Sequence, residues 1–170
     1  MTSLDGKHVL VVGLGRSGLA SARVCAERGA HVVVSDKRDG SQLAPSLTKL
    51  PAGVATELGG HVEASFLRAD LIVLSPGVPE LPELISARRA GVQVVGEMEL
   101  GSWFIHGQIV GITGTNGKST TTTLCGAIVR ASGFPTFVGG NLGEPLSEAV
   151  LAAMPYACAQ VRNVLRRWAP

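Results

Sequence analysis

Between Gly111 and Thr120 the chain reads GITGTNGKST, which places glycines, one lysine and adjacent hydroxyls where an apolar run gives way to a helical pattern. Glycines at 114 and 117 let the backbone curl so that successive N–H groups turn inward toward phosphate oxygens, and a following helix adds the positive end of its dipole. Lys118 has the reach for β- and γ-phosphates, and Ser119 can offer a hydroxyl to Mg²⁺. The chemistry this spacing suits is the cradling of a nucleoside triphosphate such as ATP, by Gly114, Thr115, Asn116, Gly117, Lys118, Ser119 and Thr120, with Ser119 on the metal side. One position departs from the usual G-x-x-x-x-G-K-[ST] pattern: Ile112 stands where the first glycine is expected, and Gly114 acts as an extra pivot.

A second phosphate signal, Gly13-Leu14-Gly15-Arg16-Ser17-Gly18, follows the first apolar run and opens a helical pattern. G-x-G-x-x-G in that setting brings a pyrophosphate onto a helix N-terminus. Asp36, at the end of the next apolar run, takes the place where a carboxylate commonly accepts a ribose hydroxyl. The fingerprint reports a diphosphate nucleotide without saying which, so taken alone it suits an NAD-dependent dehydrogenase equally well. Asp36, Lys37 and Arg38 also fit a solvated charge cluster at a strand end. A third signal, Ser75-Pro76-Gly77-Val78-Pro79, closes the run LIVLS; Gly77 would allow a close backbone approach to a phosphate or sugar, while the same loop also serves as an ordinary strand-to-helix turn.

The elements that must hold these loops alternate. HVLVVG, HVVVSD, LIVLSPG, VQVVGE and QIVGIT read as strands, and residues 17–28 and 81–90 read as helices, which predicts an α/β fold with a parallel, doubly wound sheet. QIVGIT is apolar enough to be buried, and Leu124, Ala127, Ile128 and Ala131 mark an apolar helix face after the second loop. EMELGSWFIHG reads as a short joining helix, so the expected organisation is a Rossmann-like unit at 1–96, a linker helix at 97–107 and a partial phosphate-loop ATPase unit at 108–170. Residues 40–66, with Pro45, Pro51 and Gly59-Gly60, show no clear period.

Composition narrows the class. The 170 residues are 45% hydrophobic with 22 glycines and a net charge of +2, and no basic patch dominates, so a nucleic-acid partner is not expected. No apolar run approaches the roughly 18 residues of a membrane span and no signal-peptide pattern opens the chain, giving the expectation of a soluble, cytoplasmic monomer. Cys25, Cys125 and Cys158 are far apart in sequence and odd in number, which suggests reduced thiols rather than a disulfide framework or a metal site. His8, His31, His61 and His106 lack paired spacing and read as surface residues.

With GLGRSG at 13–18, Asp36, SPG at 75–77, GTNGKST at 114–120 and GGNLG at 139–143 in this order, residues 5–150 resemble the N-terminal part of the D-glutamate-adding Mur ligases of peptidoglycan biosynthesis. The alanine-adding relatives typically read GTHGK, and folylpolyglutamate synthetases GTNGKG without a Rossmann unit in front. The resemblance implies an ATP-dependent amide ligase using ATP and Mg²⁺. Its substrates would be UDP-N-acetylmuramoyl-L-alanine and D-glutamate, and it would act through an acyl phosphate. It further implies that Gly15, Arg16, Ser17, Asp36, Lys37, Ser75 and Gly77 hold the UDP moiety, that Asn141 contacts the muramoyl substrate near the chemistry, and that Lys118 and Asn141 are catalytic.

Beyond Lys118 the resemblance thins. The carboxylates there are Glu144 and Glu148, there is no histidine, and the chain runs into LAAMPYACAQVRNVLRRWAP, where Val161, Leu165 and Trp168 interleave with Arg162, Arg166 and Arg167 as a short amphipathic helix or a solvated tail. A phosphate-loop site normally has a carboxylate on a second strand to hold Mg²⁺ or its water. The expectation is a truncated chain that lacks the D-glutamate-binding domain and is inactive alone. An NAD-dependent oxidoreductase and a non-catalytic nucleotide-binding fragment remain the alternatives.

Overall fold

The computed structural model describes residues 3–140 and 143–160. Asn141 and the tail segment around Val161, Leu165 and Trp168 lie outside the described residues. Five strands, β1 (His8–Val12), β2 (His31–Asp36), β3 (Ala55–Leu58), β4 (Leu71–Leu74) and β5 (Gln93–Gly96), form one parallel sheet in the order β3-β2-β1-β4-β5. The near-continuous apolar character of β1 has a direct cause: both faces of the sheet are covered. Val9 and Val11 pack with Val32, Val34, Leu71 and Val73 under α1 (Arg16–Glu27), α2 (Gly40–Leu47) and α5 (Glu97–Ser102). Leu10, Val12 and Ile72 turn the other way, onto Phe66 of α3 (Glu63–Arg68) and Leu84 and Ala87 of α4 (Pro82–Arg89).

A second parallel sheet contains β6 (Gln108–Ile112), β8 (Tyr156–Gln160) and β7 (Thr136–Gly140) in that spatial order, with α6 (Lys118–Ala131) and α7 (Leu146–Leu151) on it. Here two expectations are overturned. β6 is an edge strand, with Val110 42% exposed, because β8 pairs with only one of its sides. The apolar stripe of α6 faces outward, with Leu124 and Ile128 more than half exposed, while Thr122 and Gly126 face the sheet. Close docking explains the choice of face: a Cβ at Gly126 would lie 2.1 Å from Val138 Cγ2, so only the glycine face lets the helix lie this near β7.

Residues 40–66 contain α2, β3 and α3, which the sequence hid. α2 forms in spite of Pro45 because it is only two turns long, buries Leu43, and starts on Asp39, whose carboxylate accepts the N–H groups of Ser41 (2.9 Å) and Gln42 (3.1 Å). The joining helix α5 is shorter than expected and ends at Ser102, after which Phe104 turns back into the apolar core.

α5 and α7 meet through a buried polar contact. Glu97, 2% exposed, accepts the Ser147 backbone N–H at 2.6 Å at the start of α7. Burial raises the Glu97 carboxyl above its ordinary range, against the lowering effect of the Ser147 N–H, and the nearby Glu148 charge adds to the rise. A carboxyl whose folded value is raised favours folding below its unfolded value and loses that contribution as pH climbs through the folded one. Glu97→Gln should therefore match or exceed the parent in stability at neutral pH, since the amide oxygen can still accept. Glu97→Ala, which strands the Ser147 N–H, should cost about 1–3 kcal/mol in urea unfolding.

Candidate functional site

β1 runs to β2 on one side of the sheet, and the chain later returns to β4 on the other, so the C-terminal ends of β1 and β4 flank the point where the winding reverses. Ligand crevices of open parallel sheets form there. Gly13 leaves β1 at φ 91°, its N–H donating to Ser35 O (2.7 Å) and its carbonyl accepting the Ser75 hydroxyl (2.8 Å). Ser75 N–H donates in turn to Val12 O at 3.0 Å. The glycine loop and the SPG loop are thus one hydrogen-bonded unit, and Ser75 is a fastening between them. α1 then begins on Gly15 without a side-chain cap, which leaves its first-turn N–H groups open to an anion.

Asp36 closes the loop from the other side. One carboxylate oxygen accepts Leu14 N–H (2.6 Å) and Arg38 Nη2 (2.7 Å), and the other accepts Arg38 N–H (2.9 Å) and Nε (3.0 Å). Four donors fill the acceptor capacity of a carboxylate. A ribose hydroxyl at Asp36 must therefore displace one of them, and the half-exposed Arg38 is the donor free to move. Burial alone would raise the Asp36 carboxyl, but the Arg38 guanidinium and the Leu14 N–H outweigh it and hold the group down at about 2. Its stabilising contribution is complete above the unfolded value near 4 and is lost as pH falls toward 2. Asp36→Asn is expected to cost on the order of 2 kcal/mol at pH 7 and to flatten the acid decline of stability between those limits, as measured by urea unfolding across pH.

Gly15, Asp36, Lys37, Ser75 and Gly77 line a single crevice of about 240 Å³, together with Gly13, Arg38 and His61. Arg16 and Ser17 stand outside that lining. Arg16 Nη2 instead donates to Glu144 at 3.3 Å, across to the segment between β7 and α7. His61, read from the sequence as a surface residue, is half-buried, and its Nδ1 lies 2.8 Å from Ser35 Oγ. The signal for it was the Gly59-Gly60-His61 loop after β3, on the ligand edge of the sheet. A larger cavity of about 480 Å³ sits at the opposite edge, where His8 and His31 begin their strands, and the Glu57 carboxylate on its wall already accepts the Ser65 hydroxyl at 2.5 Å.

In the second loop Gly114 and Gly117 have φ of 148° and 75°, conformations that favour glycine, and Gly117 is the uncapped start of α6. Lys118 is the first helical residue. Its Nζ donates to Gly114 O (2.5 Å) and Thr115 O (3.2 Å), folding the ammonium back over the loop. Thr122, which reads as part of a plain hydroxyl run, donates to Lys118 O at 2.8 Å and buttresses the first turn. Gly114, Thr115, Asn116, Gly117, Ser119 and Thr120 are all exposed.

Among the described residues no three His, Cys, Asp or Glu side chains converge on a metal position. The two carboxylates after Lys118 are engaged elsewhere, Glu144 with Arg16 (3.3 Å) and Glu148 with Arg23 (3.8 Å). A donor set this poor in carboxylates does not fit a free divalent ion; it would suit Mg²⁺ only as a complex already carrying phosphate oxygens.

A Rossmann-like parallel sheet with a glycine loop at its switch point, followed by a second parallel sheet whose β6–α6 loop carries Lys118, defines an α/β protein of Rossmann-like organisation. Residues 7–96 match the family described as Mur ligase MurD-like, N-terminal domain, and the chain belongs to it. It is 57% identical over 160 residues to UDP-N-acetylmuramoylalanine–D-glutamate ligase of Anaeromyxobacter dehalogenans, a match covering 93% of this chain and 34% of that protein. It is 51% identical over 169 residues to the enzyme of the same name from Pelobacter propionicus, covering 97% of this chain and 38% of that one. The chain therefore spans about a third of the length of these relatives. The fold is shared with UDP-N-acetylmuramate-alanine ligase MurC from Thermotoga maritima, with a TM-score of 0.53 at 20% identity over 92% of this chain and 37% of that one. It is also shared with a pseudomurein peptide ligase type C from Methanothermus fervidus, with a TM-score of 0.51 at 24% identity over 93% and 33% of the two chains. No helix among the described residues is long and apolar enough to cross a membrane.

Proposed function

We propose that these residues are the uridine-nucleotide-binding and phosphate-loop part of a cytoplasmic ligase that joins D-glutamate to UDP-N-acetylmuramoyl-L-alanine in peptidoglycan biosynthesis. One observation carries the reading. Gly15, Asp36, Lys37, Ser75 and Gly77 share one crevice at the switch point, in a chain more than half identical to a ligase of that name. Residues 1–96 would hold the UDP moiety, 97–107 join the two units, and 108–170 begin the ATP-binding unit.

In the reaction, a carboxylate oxygen of the L-alanine moiety attacks the γ-phosphorus of ATP and ADP leaves. The D-glutamate amine then attacks the acyl phosphate carbon, phosphate departs, and the amine loses a proton. The contribution of this chain is positioning and charge neutralisation. The N–H groups from Gly114 to Lys118 cradle phosphate oxygens, and the Lys118 ammonium leaves its two loop carbonyls for the β/γ-phosphates. Ser119 would hold Mg²⁺, which supplies further neutralisation of phosphate charge when bound. Asn141 would contact the muramoyl substrate. Glu144 and Glu148 pair with Arg16 and Arg23, so neither is committed to the phosphate loop.

Calorimetric titration with UDP-N-acetylmuramoyl-L-alanine, then with ATP and Mg²⁺, tests this reading. Binding of the UDP compound supports it; no binding of either ligand together with tight NADH binding overturns it.

A further inference from the structure

Two thiols far apart in sequence meet in the second unit. Cys125 lies on α6 and Cys158 in the middle of β8, paired in register with Val110 and Val138, and their sulfurs are 3.6 Å apart. Both are free thiols in the structure, and Cys158 is fully buried while Cys125, on α6, is half-buried. The third thiol, Cys25, is buried in the core of the first sheet and has neither as a neighbour in its apolar cluster. We propose that Cys125 and Cys158 are a redox modification site, forming a reversible intrachain disulfide when the chain meets a peroxide.

The division of roles follows from exposure. Cys125, the less buried of the two, attacks a peroxide oxygen as thiolate; the O–O bond breaks, hydroxide leaves and takes up a proton to become water, and Cys125 becomes a sulfenic acid. Cys158 gives up its proton and attacks that sulfur, the S–O bond breaks, the S–S bond forms and a second water departs. Two thiols are oxidised and one hydrogen peroxide is reduced to two waters. Burial, with the Cys125 thiol beside it, pushes the Cys158 thiol up to about 11, which suits it to react second, against a sulfur already activated and in contact. Burial holds Cys25 still higher, at about 12, and keeps it out of the exchange.

The bond would tie α6, the helix that starts at Lys118, to the strand beside β6, which leads into the same loop. The oxidised chain should keep its fold and unfold at a higher temperature than the reduced one, because the cross-link restricts the unfolded ensemble.

The test is hydrogen peroxide treatment of the 170-residue chain at neutral pH, followed by thiol counting under denaturing conditions and peptide mapping by mass spectrometry. The expected result is a fall from three free thiols to one, a linked peptide pair holding Cys125 and Cys158, Cys25 still reduced, and full reversal by dithiothreitol. Persistence of three thiols, a bond formed only between chains, or Cys125 driven to sulfinic acid beside a reduced Cys158 would each overturn the proposal. Cys158→Ala, checked for folding by circular dichroism, should leave a Cys125 sulfenic acid that dimedone captures. Should that variant misfold, the peptide mapping still decides, since it uses the unsubstituted chain.

Discussion

Gly18→Ala should unfold the first unit's ligand loop, while Gly15→Ala, three residues earlier, should leave the fold untouched and remove binding. A Cβ at Gly18 would lie 1.8 Å from Gly13 O and 2.8 Å from Ser75 Oγ, so the added methyl collides with backbone and with the hydroxyl that fastens the SPG loop. Nothing flexible can yield there, and the expected cost is about 3 kcal/mol, the upper end for overpacking. Gly15 has an ordinary φ of −86° and nothing within 4 Å of its would-be Cβ. Neither strain nor crowding requires glycine at this position, so folding should change by no more than about 0.5 kcal/mol. The remaining reason for a glycine is the approach of a pyrophosphate to the backbone. Urea unfolding and titration with the UDP substrate separate the two: Gly18→Ala moves both readouts, Gly15→Ala only the second. Unimpaired binding by Gly15→Ala would sink the placement of the diphosphate on this loop.

The first sheet was legible because its central strands have two covered faces and therefore read as apolar runs, and because the chain leaves β1 through Gly13, whose φ of 91° favours glycine. β3 escaped notice since Ala55-Thr56-Glu57-Leu58 is a short edge strand with no fully buried residue. β8 escaped for a different reason: Ala157, Cys158 and Ala159 are buried, yet their side chains are small and β6 and β7 on either side exclude the water. The apolar period of α6 named the wrong face because docking was decided by Gly126, a residue that contributes nothing to a hydrophobic period. Of the residues named from the sequence, Gly15, Asp36, Lys37, Ser75 and Gly77 come together around one crevice, and Arg16 and Ser17 do not. The contact of Ser35 with His61 could not be placed by spacing, because it depends on which loops cross in space, whereas Arg38 meets Asp36 within one loop.

Lys118→Ala is expected to weaken ATP–Mg²⁺ binding about a hundredfold while shifting the unfolding midpoint very little. In the structure the ammonium is satisfied by two loop carbonyls, Gly114 O and Thr115 O, both on exposed residues. Removing the side chain returns those carbonyls to water, so no buried acceptor is stranded and the stability penalty is small. Binding is a different exchange. A triphosphate offers anionic oxygens in place of neutral ones, and hydrogen bonds to charged partners are worth roughly 1.5–3 kcal/mol, or about ten- to hundredfold in affinity. Lys118→Arg should not restore it, because a planar guanidinium cannot fold back into a turn that fits a compact ammonium. Calorimetry and thermal melts on the same preparations read the two effects separately. Equal ATP affinity in parent and Lys118→Ala would remove this loop from the phosphate site, whereas a large loss of stability would make Lys118 a structural latch on Gly114 and Thr115.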